Sequence, residues 1–260
     1  MRLRSVIEHV REQNWTAVAI DFAIVVVGVF VGIQVANWNA GRVDRQRGAE
    51  FAERLRADLQ EERWLYEFMV AYYGDVRDAA ASAAAALEGR ATLSDHDLLV
   101  DAYRATQYRQ GARRRETYDE LVATGSLGLI ADPRLLRTAA RVYRIATIDS
   151  VVRESSQSPY RQAFRMSVSN DVQRELVRRC GDRYIAPGDF DRIGEVQGYP
   201  CTLELPAAEI AAAAAALRSD PTLLRALRMR VADLETRLGD FTGNNRDVLA
   251  GLKDLAGDKP

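Results

Sequence analysis

From residue 17 to residue 38 the chain reads AVAIDFAIVVVGVFVGIQVANW, and polar residues interrupt that run only at Asp21, Gln34 and its far end. Its 22 residues would extend about 33 Å as a helix, enough to cross a hydrocarbon core of about 30 Å. Trp15 and Trp38 bracket the run in the manner of interfacial aromatic anchors. A cleaved signal peptide is the main competitor, but it calls for a shorter apolar core followed by a small-x-small pair. The nearest such pair ends at Ala40 and has Trp38 where a small residue belongs, so the pattern favours an uncleaved span over 16–38.

The rest of the chain alternates with helical period, and strand patterns are nearly absent. Leu3, Val6, Ile7 and Val10 form an i, i+3, i+4, i+7 stripe, which predicts an amphipathic juxtamembrane tail over 1–15. After the span, Phe51, Leu55, Leu59, Trp64, Leu65, Phe68, Met69, Tyr72 and Val76 carry a helical pattern on to Gly89, a C-terminal stop. This predicts a stalk projecting from the bilayer, with Gly48 and Gly74 as candidate interruptions. Ser94 with Asp97, and Thr117 with Glu120, read as capping boxes. Asp132 before Pro133 reads as an N-cap, opening a helix that should run to about Ser155. Pro159 then breaks the pattern, and a second piece should end near Cys180. Residues 182–206 hold three prolines and three glycines and predict one long irregular loop. Leu224, Leu227, Val231, Leu234, Leu238 and Phe241 make a heptad-like seam, expected to pack on the stalk or on a second copy, with Asn245 as a polar break. The fold class that follows is all-α: a transmembrane helix continuing into a stalk, packed with an antiparallel helical bundle over 39–260.

Inside the span Asp21 shares a face with Gly28 and Gly32. That small-xxx-small pair would let two helices approach closely in lipid, making these three residues a candidate self-association interface. The alternative is that Asp21 reaches water at the boundary and the glycines are incidental. Formal net charge is −1, which gives no global attraction to nucleic acid. The tail offers Arg2, Arg4 and Arg11, while the far flank offers Arg42, Arg45, Arg47, Arg54 and Arg56, an excess that argues for a cytoplasmic domain. The two cysteines, Cys180 and Cys201, argue the other way if they are bonded, because a disulfide suits an oxidising compartment; two unrelated thiols are the competing reading. We expect the tail inside and the domain outside.

No catalytic constellation is legible. His9 and His96 are the only histidines; Asp95, His96 and Asp97 sit at a helix start without a third ligand and read as a solvated cap. Gly125-Ser126-Leu127-Gly128 follows a helix pattern, whereas a nucleophile elbow follows a strand. The basic stretch Arg104, Arg109, Arg113, Arg114 and Arg115, with Tyr103 and Tyr108, is followed at once by Glu116, Asp119 and Glu120 and reads as a solvated turn. We therefore expect no enzyme, no metal and no cofactor.

Two stretches carry a resemblance. Asp21, Val25 to Val27, Gly28, Gln34 and Asn37-Trp38-Asn39, then Thr117-Tyr118-Asp119-Glu120-Leu121, Gly125, Leu127 and Leu129-Ile130, resemble the signature of an uncharacterised bacterial family of single-span membrane proteins, a domain of unknown function. The similarity covers residues 15–60 and 115–145. It departs at Asp21, where the family usually has Glu, and in the extra loop around Cys201. The resemblance implies a helical domain on one anchor and supplies no catalytic residues. The expectation is a structural or interaction module of the bacterial inner membrane, with a periplasmic domain and the lipid bilayer as its partner. The second expectation is a periplasmic ligand-binding, sensor-like module. It would act through a membrane partner, since the tail is too short for a signalling domain.

Overall fold

The computed structural model describes residues 15–256, without the side chains of Trp15 and Ala17. The expected tail helix, with His9, lies outside the described residues, as does the side chain of the anchor Trp15. The described chain is all-α, and no strand occurs among the described residues. Its organising element is α1, Trp15–Leu87, a single helix of 73 residues and about 110 Å. Neither Gly48 nor Gly74 interrupts it, and the αL residue Gly89 (φ 73°) closes its C-terminus.

Only the first part of α1 stands free. From Glu62 to Arg77 no residue of α1 is exposed, so the helix runs through the middle of the bundle. The stalk is packed with the helical bundle, as expected, and runs through its middle; the free stretch beyond the apolar run is limited to residues 39–47. The cause is in its side chains. Trp64, Phe68 and Tyr72 follow each other at i, i+4 and stack along one side at centroid distances of 4.9 and 5.8 Å. Tyr66, Met69, Tyr73 and Val76 cover the other sides, all fully buried. Apolar residues all round a helix must be surrounded.

Around it are α2 (Asp95–Arg104), α3 (Glu116–Ala123), a 3₁₀ turn (Ser126–Leu129), α4 (Pro133–Arg144), α5 (Thr147–Ser156), α6 (Pro159–Ser167) and α7 (Asn170–Cys180). After the irregular stretch come α8 (Ala207–Ser219), α9 (Pro221–Gly239), a π turn (Asp240–Asn244) and α10 (Arg246–Leu255). Ser94 caps α2, accepting from the Asp97 N–H at 3.0 Å, and Asp132 caps α4 by accepting from Arg134 and Leu135.

Thr117 does not open α3. The helix begins two residues earlier, at Glu116 with Arg115 at the N-cap; Thr117 is buried, and its N–H donates to Asp58 of α1 at 3.2 Å instead of to a local cap. The single helix expected over 133–155 is also two. It breaks at Ile145, which is extended, and the Arg113 guanidinium donates to the Val142 carbonyl (2.9 Å) that the break leaves without a helical donor. A further break separates α6 from α7, where Gln173 donates to the carbonyls of Arg165 and Val168 at 2.9 and 2.7 Å.

The seam of α9 packs on α1 and on α6, and its register is shifted: Leu223, Leu227, Arg230 and Leu234 are buried, while Leu224, Val231 and Leu238 are half-buried. Two neighbours on different sides bury a wide face where a two-helix seam would bury a narrow one. Asn245 ends the π turn, its N–H reaching back to the Asp240 carbonyl at 2.9 Å and its side chain to Thr147 at 3.3 Å.

Candidate functional site

The N-terminal part of α1 is long and apolar enough to cross a membrane. Nothing among the described residues covers it: Phe22 is 70 % exposed and Trp38 is 64 % exposed. Asp21, Gly28 and Gly32 lie on this bare stretch. A methyl group added at either glycine would meet nothing within 4 Å, so the chain by itself gives these residues no partner. A continuous apolar surface of this kind has to be covered by lipid or by another protein.

Where the bundle begins, the residues of the Thr117–Leu121 motif clamp α1. Glu120 accepts from Arg54 at 2.7 Å, Leu121 is fully buried, and the Tyr118 ring lies 5.0 Å from that of Tyr143. Gly125 takes the αL conformation (φ 67°) that turns the chain into the 3₁₀ turn. The Leu129 carbonyl then lies against Gly48, where a Cβ would come within 2.2 Å of that oxygen. Asp132 pairs with Arg56 at 3.4 Å. The chain matches no family model, no curated protein and no solved structure.

The basic stretch is a turn between helices with Arg114 and Arg115 exposed, but Arg113 is turned into the bundle. Arg113 is 11 % exposed and pairs at 2.8 Å with Glu62, which is 1 % exposed; the Arg114 N–H donates to the second Glu62 oxygen at 2.6 Å. Burial pushes the Glu62 carboxyl above the usual range, and Arg113 pulls back against it. Arg114 pairs with Glu61, Arg115 with Asp119, and Arg104 donates to the Tyr199 carbonyl at 2.6 Å. Arg109 instead lies 5.8 Å over the Phe68 ring of α1. The composition could not show this, because the partners lie about 50 residues away in sequence.

Cys180 and Cys201 are bonded, with Cα atoms 5.4 Å apart and a sequence separation of 21. Closing a loop of that length contributes about 3 kcal/mol by restricting the unfolded chain. The clipped segment packs on α1 by particular bonds. Trp64 donates to the Asp189 carbonyl at 3.1 Å and Tyr72 donates to Asp182 at 2.7 Å, while within the segment itself Arg183 stacks 3.7 Å over Tyr199.

Beside this loop a cleft of about 290 Å³ opens between α2, α6 and α7. Tyr103 and Phe164 line it, with ring centres 6.4 Å apart, together with Arg161 and Arg165 one helical turn apart. Neither arginine was singled out from the sequence, since an i, i+4 pair of arginines on a helix is an ordinary surface pattern. Elsewhere, His96 bonds to Asp97 at 3.0 Å as part of the α2 cap, and no cluster of metal-ligating residues occurs among the described residues.

Proposed function

We propose that the chain is a single-pass protein of the bacterial inner membrane whose periplasmic helical bundle serves as a structural or interaction module. The observation that carries this reading is the continuity of α1: one helix is bare and apolar over 18–38 and becomes the central core helix past Gly48. Movement or position of the segment in lipid is thereby transmitted to the bundle without a flexible joint. The disulfide supports a periplasmic bundle, because thiols are kept reduced in the cytoplasm. So does the charge balance beside the span. Arg54 and Arg56 are bound to Glu120 and Asp132, which leaves Arg42, Arg45 and Arg47 against Arg2, Arg4 and Arg11 on the other flank. Asp21, Gly28 and Gly32 serve in this reading as a face for a second copy, and the resemblance to single-span bacterial proteins is consistent with it. The module is read as non-catalytic, with no cofactor.

A second reading, a periplasmic ligand-binding module acting through a membrane partner, has the cleft beside the disulfide loop in its favour. The test of the first reading is topological. Reporter fusions after residue 45 and at residue 260 should both be active only on the periplasmic side, and the protein should resist carbonate extraction. Activity of either fusion in the cytoplasm, or release by carbonate, rejects the reading.

A further inference from the structure

We infer that the cleft between α2, α6 and α7 is a binding site for a small organic monocarboxylate with an apolar body. This gives the second reading its ligand class, and it rests on the cleft alone, so it stands or falls separately from the membrane anchor.

Charge comes first. Arg161 is half-buried and Arg165 lies one turn on, and neither forms an ion pair among the described residues. By contrast, Arg113, Arg114 and Arg115 of the basic stretch each pair with a carboxylate. Arg161 spends one N–H on the Thr106 carbonyl at 2.9 Å and lies 4.9 Å over the Tyr108 ring, which orients it without neutralising it. Burial, and then the charge of Arg165, hold its pKa below the ordinary arginine value, so the two cations repel one another. An anion bridging them would relieve that repulsion. Behind the wall, the buried Arg230 donates to the Gln107 carbonyl at 3.0 Å and adds positive potential without a carboxylate partner.

The ligand class follows from the remaining lining. Tyr103 and Phe164 are 6 % and 2 % exposed and offer an apolar, largely aromatic floor. The Tyr103 hydroxyl forms no hydrogen bond among the described residues. Burial pushes its pKa up to about 12, so it stays protonated as a donor. Asp182 also lines the cleft, held by Tyr72 at 2.7 Å and by Gln197 at 2.9 Å. Two guanidinium groups against one carboxylate leave one positive charge, which matches a monoanion and disfavours a second negative group. A bidentate guanidinium pairing selects the planar carboxylate. The volume, about 290 Å³, is at the lower limit for ligand pockets and suits a single ring or short chain.

Benzoate is the probe, titrated into the full chain in nanodiscs and followed by ligand-observed NMR and by thermal melts. Benzoate should bind and raise the Tm, while its neutral isostere benzamide should do neither. Arg165→Glu removes no bond seen in the fold and should weaken benzoate by about 10-fold or more, the worth of a charge-assisted contact, while Arg165→Lys should retain binding. Absence of benzoate binding to the unaltered protein, or equal binding by Arg165→Glu, overturns the site. Inorganic phosphate competing as well as benzoate overturns the assignment to carboxylates. Reporter topology is untouched by any of these results.

Discussion

Glu62 lies among aromatic and apolar side chains at the level where α1 becomes fully surrounded, and its charge is held there by Arg113 and one backbone N–H. Removing one member of such a pair is costlier than the pair's own net worth, since it strands the other without water. Arg113→Ala should therefore destabilise the bundle by about 3–5 kcal/mol at about pH 8 in denaturant or thermal melts. The pH dependence has a definite sign. Glu62 already has a raised folded-state pKa, and loss of Arg113 raises it further, so the native state gains affinity for a proton relative to the unfolded chain. The deficit of the variant should shrink as pH falls through that raised value toward the ordinary glutamate range; a deficit unchanged at about pH 5 would contradict this account. Local residue chemistry was legible where both partners are close in sequence. Ser94 and Asp132 cap their helices because the accepting side chain and the donating N–H lie two or three positions apart. Thr117 carried the same pattern and went elsewhere, because Asp58 of α1 was there to take its N–H.

At the scale of elements, α1 shows how packing overrides a local disposition. Glycine weakens an isolated helix, which made Gly48 and Gly74 candidate breaks. The two behave differently for a reason outside the helix. Gly48 is where the Leu129 carbonyl comes closest, whereas a Cβ at Gly74 would meet nothing within 4 Å. Gly48→Ala should cost about 1–3 kcal/mol by forcing the 3₁₀ turn away. Gly74→Ala should instead stabilise the protein by about 0.5–1 kcal/mol through helix propensity alone. Melts of the two variants side by side decide the matter, and equal effects would mean that the contact with Leu129 is not tight. The period of α9 was readable, but its register was not. Leu223 and Leu224 are adjacent and equally apolar, and only the positions of α1 and α6 choose between them.

At the scale of the whole molecule, the bare apolar stretch and the bundle share one helix, so any association in the lipid would bring two bundles side by side. If Gly28 and Gly32 form the contact, replacing both with Ile should abolish self-association in a membrane two-hybrid assay, because the added side chains hold the backbones apart. The bundle, whose contacts begin at Gly48, should melt as before. Undiminished association would remove the glycine face from the proposal.

The amino-acid order determined by itself the all-α class, the position of the apolar run, the caps at Ser94 and Asp132, and the irregular stretch between α7 and α8. Each of these follows from contacts or periodicities spanning a few residues, which a linear reading can follow. Tertiary structure alone decided that the stalk runs through the middle of the bundle, that Arg113 and Arg114 pair with α1, and that Arg161 and Arg165 face a cleft floored by Tyr103 and Phe164. In those cases the deciding partner is distant in the chain, and an arginine's surroundings, not its spacing, determine whether its charge is already satisfied.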